Sequence, residues 1–167
     1  MRLTLHSDYG LRVLLFLATR PSDTVSIGEV AAGYGISAHH LGKVAQRLGR
    51  EGYVELLRGA KGGLRLARAP EGISIGEVVR RLEPDLDLVE CFDPRRNTCP
   101  IVPACGLKGI LAEARARFFE TLDRHTLADA VGRPGALVRL LRPRRGLVPD
   151  RAQGIPAAGS KVRLRAS

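Results

Sequence analysis

All three cysteines of the chain lie within one stretch of fifteen residues, at Cys91, Cys99 and Cys105. An odd number of cysteines in a loop broken by prolines makes a poor disulfide framework. Thiolates are instead the soft ligands that iron–sulfur clusters and zinc select. Seven and five residues separate the cysteines, whereas paired zinc ligands are typically about two to four residues apart. The pattern favours an iron–sulfur site completed by a fourth ligand; a zinc-stabilised module or three unligated thiols are the alternatives.

The surroundings of the cysteines contain no catalytic pattern. No histidine occurs between His40 and His125, and the chain has no Cys-x-x-Cys motif and no glycine-rich nucleotide loop. Because a nucleophile and its base are both needed for covalent catalysis, we predict that the protein is not an enzyme. The acids near the cysteines are expected to be solvated charges that tune the site: Asp85, Asp87, Glu90 and Asp93.

Composition and charge indicate a cytoplasmic protein that binds nucleic acid. The longest apolar run, Val13 to Ala18, has six residues, against roughly 20 in a membrane helix, and no signal-peptide pattern is present. The net charge is +10, divided as +5 in residues 1–68, −3 in 69–132 and +8 in 133–167. A basic N-terminal third favours nucleic acid as the partner. The basic tail is predicted to be largely disordered, and either binds DNA phosphates or is inert.

The elements that must position these residues follow from hydrophobic periodicity and helix-start signals. Ser26 with Glu29 and Ser74 with Glu77 form capping boxes, and Ser37 opens a longer helix. The predicted elements are helices over 9–19, from Ser26, from Ser37 to about Gly52 and over 75–82, and strands at 53–57 and 64–67. We therefore predict a mainly α fold, with a winged helix-turn-helix domain of three helices and a two-stranded wing, then a long C-terminal dimerisation helix.

That last helix is marked by an apolar stripe with helical spacing. Its members are Leu107, Ile110, Leu111, Ala114, Phe118 and Leu122. A chain of this size offers little to cover such a stripe, so we predict that a second copy covers it; packing on its own winged helix is the alternative. Thr126 and Asp129 then form a third cap-like start, for a short helical turn.

The predicted DNA contacts lie on the third helix and on the wing. They are His39, His40, Lys43, Gln46 and Arg47 on the helix, and Arg58, Lys61 and Arg65 on the wing. Such donors bind base edges or phosphates when a helix enters the major groove, and arginine at a wing tip suits the minor groove. A solvated helix face and a plain hairpin turn are the alternatives. A dimer would bind an inverted-repeat operator about two helical turns long.

The order of these motifs resembles a known family. The motifs occur in the order SDYGLR (7–12), RGAKGGLRLA (58–67), ISIGEVVRRLEP (73–84), the three cysteines, GLKGIL and LADAV. This order is similar to that of the NsrR family of nitric-oxide-sensing repressors, within the IscR-like winged-helix iron–sulfur regulators. The resemblance covers residues 1–132. We divide the chain into a winged helix-turn-helix domain (1–83), a cysteine loop (84–106), a dimerisation helix with a short turn (107–132) and the tail (133–167).

The resemblance implies a homodimeric transcriptional repressor with one [4Fe–4S] cluster per subunit, held by the three cysteines. In the IscR branch the fourth ligand is a histidine soon after the third cysteine, which this chain lacks. In NsrR-like proteins it is an aspartate of the partner subunit, and Asp8 matches that position; the alternative role of Asp8 is the N-cap of the first helix. Nitrosylation of the cluster would release the operator. A [2Fe–2S] cluster that reports iron–sulfur or redox status is the second regulatory alternative.

Overall fold

The computed structural model describes residues 2–59 and 62–142, which form seven helices and one two-stranded antiparallel sheet. The elements are α1 (Leu5–Ala18), α2 (Ile27–Tyr34), α3 (Ala38–Arg50), β1 (Val54–Leu57), β2 (Gly63–Leu66), α4 (Ile75–Leu82), α5 (Gly106–Asp123), α6 (Leu127–Val131) and α7 (Pro134–Leu140). Turns of 3-10 helix lie at Pro70–Gly72, Glu90–Phe92 and Val102–Ala104. Lys61 and the tail from residue 143 onward lie outside the described residues.

The start of α1 differs from the sequence prediction. The helix begins at Leu5, because the Thr4 hydroxyl accepts a hydrogen bond from the Ser7 N–H (3.2 Å) and so caps the first turn. Asp8 therefore lies inside the helix, and the N-cap role considered for it is wrong. The apolar stripe of this helix starts only after its polar first turn, so periodicity alone placed the start too late.

Two of the predicted helix starts are confirmed by reciprocal hydrogen bonds. At α2, Ser26 Oγ accepts from the Glu29 N–H (3.2 Å), and the Glu29 carboxylate accepts from the Ser26 N–H (2.8 Å). Thr126 and Asp129 repeat this arrangement at α6 (3.2 and 2.8 Å). Ser37 precedes α3 as predicted, but its hydroxyl forms no capping hydrogen bond. Local side-chain chemistry thus sets where the short helices begin.

The wing is an antiparallel hairpin tied to the helical core. β1 pairs with β2 so that Val54 lies opposite Leu66. Val25, just before α2, exchanges two backbone hydrogen bonds with Leu64 of β2 (2.8 and 2.7 Å). Because the hairpin is held both by its own ladder and by the start of α2, it has a fixed position beside α3. The predicted winged helix-turn-helix fold is confirmed.

A single hydrophobic core fills the space between α1, α3 and the wing. The side chains of α1 and α3 that enter it are Val13, Leu14, Phe16, Leu17, Leu41, Val44, Ala45 and Leu48. After α5 the chain returns to this core, because Leu127 of α6 is fully buried and Leu141, just beyond α7, is 8% exposed. The ten described residues of the tail segment, 133–142, thus include a short helix beside the core.

α5 stands outside the core, since none of its 18 residues is buried. It is attached to α4 by a bidentate ion pair, in which Nη1 and Nη2 of Arg80 each donate to one carboxylate oxygen of Asp123 at 2.6 Å. Gly76 allows α4 and α5 to approach this closely, because a Cβ at residue 76 would collide with the Asp123 carboxylate. Among the described residues, no helix is long and apolar enough to cross a membrane.

One core residue leads to a prediction about stability. Tyr53 is fully buried, and its hydroxyl has no hydrogen-bond partner within residues 2–59 and 62–142. Burial, with the nearby Glu77 carboxylate, raises the pKa of Tyr53 from 10.0 to about 12. Since an unpaired buried hydroxyl is unfavourable, we expect Tyr53→Phe to raise the free energy of unfolding by about 1 kcal/mol at neutral pH.

The same variant has a defined pH dependence. Tyr53 ionises near pH 10 in the unfolded chain and near pH 12 in the folded protein, so wild-type stability falls across this interval and the Phe variant is spared that loss. Its advantage in urea unfolding should therefore be larger at about pH 11 than at about pH 7. A variant less stable than wild type at neutral pH would show that the hydroxyl has a stabilising partner.

Candidate cysteine site and DNA-binding face

The three cysteines occupy irregular chain between α4 and α5. Cys91 lies in the turn Glu90–Phe92, Cys99 follows in non-regular chain, and Cys105 is the N-cap residue of α5. All three are free thiols and half-buried. Thiols that are reduced, partly shielded and close in sequence are the donor set that an iron–sulfur cluster uses.

One chain does not assemble a complete ligand set. Within residues 2–59 and 62–142, no three His, Cys, Asp or Glu side chains come close enough to hold a metal ion. Between Cys91 and Cys105 the regular structure consists of short 3-10 turns, so helix or sheet hydrogen bonds do not fix the separation of the thiols. The three thiols are thus not gathered into a ligand group in the described part of the chain, although three thiols are a donor set that suits an iron–sulfur cluster.

A network of arginine–aspartate pairs shapes the first half of the cysteine loop. Arg96 contacts Asp85 (Nη2 to Oδ2, 2.8 Å) and Asp93 (Nε to Oδ2, 2.8 Å). Its hydrogen bond lowers the pKa of the Asp85 carboxyl, and the Arg95 N–H together with Arg96 lowers that of Asp93. Asp93 is only 12% exposed at its side chain. The loop acids predicted to be solvated are thus largely paired, which fixes the chain on both sides of Cys91.

A second anchor comes from α5. Arg115 donates to Asp87 (Nη1 to Oδ1, 2.8 Å), and its guanidinium lies 4.4 Å from the centre of the Phe92 ring. Phe92 directly follows Cys91, so α5 holds the loop beside the first thiol. Sequence reasoning missed Arg96 and Arg115, because partners 11 and 28 residues apart have no local periodicity; alternating Asp and Arg was the available signal.

Asp8 lies on the exposed side of α1 with a cationic partner. Its carboxylate receives two contacts from Arg12, Nε to Oδ1 at 3.1 Å and Nη2 to Oδ2 at 2.8 Å, and its side chain is 39% exposed. The Arg12 guanidinium also lies 5.8 Å from the centre of the Tyr34 ring. Asp8 does not join the cysteines in a ligand group within the described part of this chain, and its carboxylate remains open to a partner.

The predicted dimerisation stripe is largely uncovered on α5. Leu107 and Ile110 are 60% and 66% exposed. The rest are half-buried or exposed: Leu111, Ala114, Phe118 and Leu122. The helix packs on its own chain mainly through α4, where Arg80 lies over the ring of Phe119 at 4.5 Å, a contact that the sequence did not predict. A stripe of this kind on a long helix is the usual signature of a protein interface.

α3 presents an outward face of polar side chains. Its exposed residues are Ala38, His39, His40, Lys43, Gln46, Arg47 and Arg50. In the described part of the chain, the side chains of His39, His40, Lys43, Gln46 and Arg50 form no hydrogen bond or ion pair. Arg50 was not predicted, although it lies one turn beyond Gln46 on the same face. These donors are free to bind a ligand.

Two of the predicted DNA contacts have partners within the chain. Arg47 Nη2 donates to the Arg81 carbonyl oxygen (2.9 Å) and pairs with Glu51 (3.0 Å), so its head group is directed towards α4. On the wing, Arg65 pairs with Glu55 across the hairpin (2.6 Å), whereas Arg58 is exposed. A DNA contact by Arg47 or Arg65 must therefore compete with an existing ion pair.

Comparison with known proteins gives one family. A model of the Rrf2 family, described as an iron-dependent transcriptional regulator, matches residues 3–133. The chain is 50% identical over 143 residues to the HTH-type transcriptional regulator NsrR of Bacillus subtilis, which covers 85% of this chain and 98% of that protein. The resemblance to NsrR regulators found in the sequence is thereby confirmed.

Solved structures give the same fold. The oxidized form of Staphylococcus aureus CymR is 26% identical, with a TM-score of 0.63, and covers 79% of this chain and 97% of its own. IscR of T. potens is 27% identical, with a TM-score of 0.63, and covers 78% of this chain and 86% of its own.

Proposed function

Because the chain belongs to the Rrf2 family of transcriptional regulators, we propose that it is a cytoplasmic, homodimeric repressor whose iron–sulfur cluster reacts with nitric oxide and thereby releases operator DNA. It is a regulator and not an enzyme. The observation that carries the proposal is the set of three free thiols directly before α5 on a winged-helix fold. Thiols in that position connect a chemically reactive site with the helix that joins two subunits.

The dimer supplies the geometry for DNA binding. The exposed apolar stripe of α5, with Leu107 and Ile110 at its N-terminal end, is the surface that a second copy covers. Two-fold symmetry then presents two copies of α3, each with unpaired donors such as His39, Lys43 and Gln46, to an inverted-repeat site. The wing follows α3 on each half-site, where exposed Arg58 is placed to contact the duplex.

The cluster is assigned to the cysteines, with an oxygen ligand from the partner subunit. Cys91, Cys99 and Cys105 would hold a [4Fe–4S] cluster, one per subunit, and Asp8 of the other copy would complete it. When bound, the cluster supplies iron that nitric oxide attacks, and a carboxylate is a harder and more labile ligand of that iron than a thiolate. Within residues 2–59 and 62–142 no three His, Cys, Asp or Glu side chains are close enough to hold a metal ion, so the proposal takes the fourth ligand from a second copy.

If Asp8 exchanged its ion pair with Arg12 for ligation of the partner subunit's cluster, the state of the cluster would be coupled to DNA binding. In the single chain Arg12 holds the Asp8 carboxylate, so ligation across the dimer requires that α1 give up this ion pair. α1 packs directly on α3, and the dimer in which Asp8 is a ligand therefore fixes the spacing between the two copies of α3. Two dimer geometries with different affinity for the operator satisfy the definition of allosteric coupling.

A matched pair of variants tests the linkage. We expect Asp8→Ala to retain a cluster that is lost faster in air and to couple nitric oxide weakly to DNA release. Arg12→Ala removes the same ion pair but leaves the carboxylate, so it should keep a stable cluster and a full response. Cluster decay is followed by visible absorption and DNA binding by fluorescence anisotropy. Full operator binding and a full nitric oxide response in Asp8→Ala would refute the linkage.

A further inference from the structure

α3, the helix proposed to bind DNA, contains a glycine that the fold of the chain does not require. Gly42 is the fifth of the 13 residues of α3, its backbone is ordinary right-handed helix, and a Cβ built on it meets nothing within 4 Å. Glycine in a helix interior is less stable than alanine because it loses more backbone freedom on folding. The chain therefore carries a helix-weakening residue where alanine would fit.

Four other glycines within helices are required by the packing of the chain, whereas Gly109 of α5, like Gly42, has no neighbour within 4 Å. A Cβ at Gly33 would lie 2.8 Å from the Phe16 ring, and one at Gly49 would lie 3.1 Å from Leu56. At Gly10 and Gly76 an added Cβ would collide with Leu82 and Asp123. Packing inside the chain leaves no room for a side chain at these four positions, whereas a side chain at Gly42 would meet no atom within 4 Å in the described structure.

The surroundings of Gly42 indicate what occupies that space. It is half-buried and lies one turn from the exposed residues His39 and Gln46, whose side chains form no hydrogen bond or ion pair within the described residues. Arg47, the long side chain of the neighbouring face, is held towards α4 by Glu51 and the Arg81 carbonyl. At Gly42 no side chain projects from α3, and unpaired donors lie on either side of this position. A helix without a side chain at this position can approach the base-pair edges of the DNA major groove more closely.

We infer that Gly42 is a positioning residue that sets how deeply α3 enters the major groove, so that His39 and Gln46 reach the base edges. The inference rests on the proposed function, because it requires that α3 bind operator DNA. A methyl group at residue 42 would hold the helix backbone away from the base pairs. Contacts with base edges tolerate such a shift poorly, whereas attraction to phosphates is less sensitive to it.

The test is Gly42→Ala, which should fold better and bind worse. We expect its melting temperature to rise by a few degrees, while its affinity for a duplex selected by the wild-type protein from a random-sequence library falls about tenfold, the order of one lost base contact. Binding to an unselected duplex at low salt should change less than about twofold. Gly135→Ala is the control, because that glycine is also helical and also has no neighbour within 4 Å of an added Cβ.

The outcomes separate the inference from its premise. If the wild-type protein selects no sequence from the library, the proposed DNA-binding function itself fails. If it selects a sequence and Gly42→Ala binds that sequence as tightly as wild type, only the role of Gly42 is refuted. Equal loss on selected and unselected duplexes would also overturn it, because that result means a general defect in binding and not a lost approach to the bases.

Discussion

Replacing Cys105 with serine is expected to abolish binding of the proposed iron–sulfur cluster while leaving the fold intact or more stable. Cys105 is the N-cap residue of α5, and its side chain forms no capping hydrogen bond. Serine is among the best N-cap residues, and a hydroxyl there contributes up to about 1 kcal/mol to helix stability. The same substitution removes a soft thiolate that iron requires. Anaerobically purified Cys105→Ser should therefore be colourless, with a melting temperature at or above that of the wild-type protein without its cluster.

Iron and sulfide assays with thermal unfolding distinguish a lost ligand from a damaged fold. Cys105→Ala serves as the matched variant, since it removes the thiolate without supplying a cap and should also be colourless but less stable than the serine variant. Operator binding of both variants should no longer change when nitric oxide is added. Wild-type iron content in Cys105→Ser would remove this cysteine from the ligand set.

Replacing Ile110 with aspartate is expected to convert the proposed dimer into a monomer. Ile110 is 66% exposed in the single chain, so the substitution costs the monomer fold little. In a two-fold interface each copy would bury an unpaired carboxylate against the other, which is strongly unfavourable. Losing the second half-site removes the avidity of the dimer, and operator affinity should fall by about a hundredfold or more. Sedimentation and anisotropy measure the two effects.

Leu140→Asp provides the control for surface charge. Leu140 is 73% exposed at the end of α7 and is not part of the α5 stripe, so its variant should remain dimeric and bind the operator as wild type does. A dimeric Ile110→Asp protein would show that the α5 stripe is covered by something other than a second copy.

Local signals in the sequence predicted the fold well. The Ser26–Glu29 and Thr126–Asp129 caps and the hairpin were predicted because each depends on residues only a few positions apart. The predicted α5, residues 107–122, differs from the observed helix by one residue at each end. The start of α1 was missed because the first turn contains a single apolar residue, the exposed Leu5, followed by three polar residues, which gives no apolar period to detect.

The arrangement around the candidate site depended on contacts that no local pattern encodes. Arg96 and Arg115 bind acids of the cysteine loop across 11 and 28 residues, and Arg47 reaches the carbonyl of Arg81. These contacts form only when distant parts of the chain come together, so sequence spacing could predict the thiols but not the side chains that hold the loop around them. The ligand role of Asp8 and the DNA contacts remain predictions.

The most direct test of the cluster and its sensing role is anaerobic purification of the wild-type protein, followed by iron and sulfide counts and visible absorption before and after nitric oxide, with operator binding followed in the same samples. We predict about four iron and four sulfide per chain, an absorption band that bleaches with nitric oxide, and release of DNA as it bleaches. A colourless protein that holds one zinc ion per chain and binds DNA regardless of nitric oxide would contradict the account.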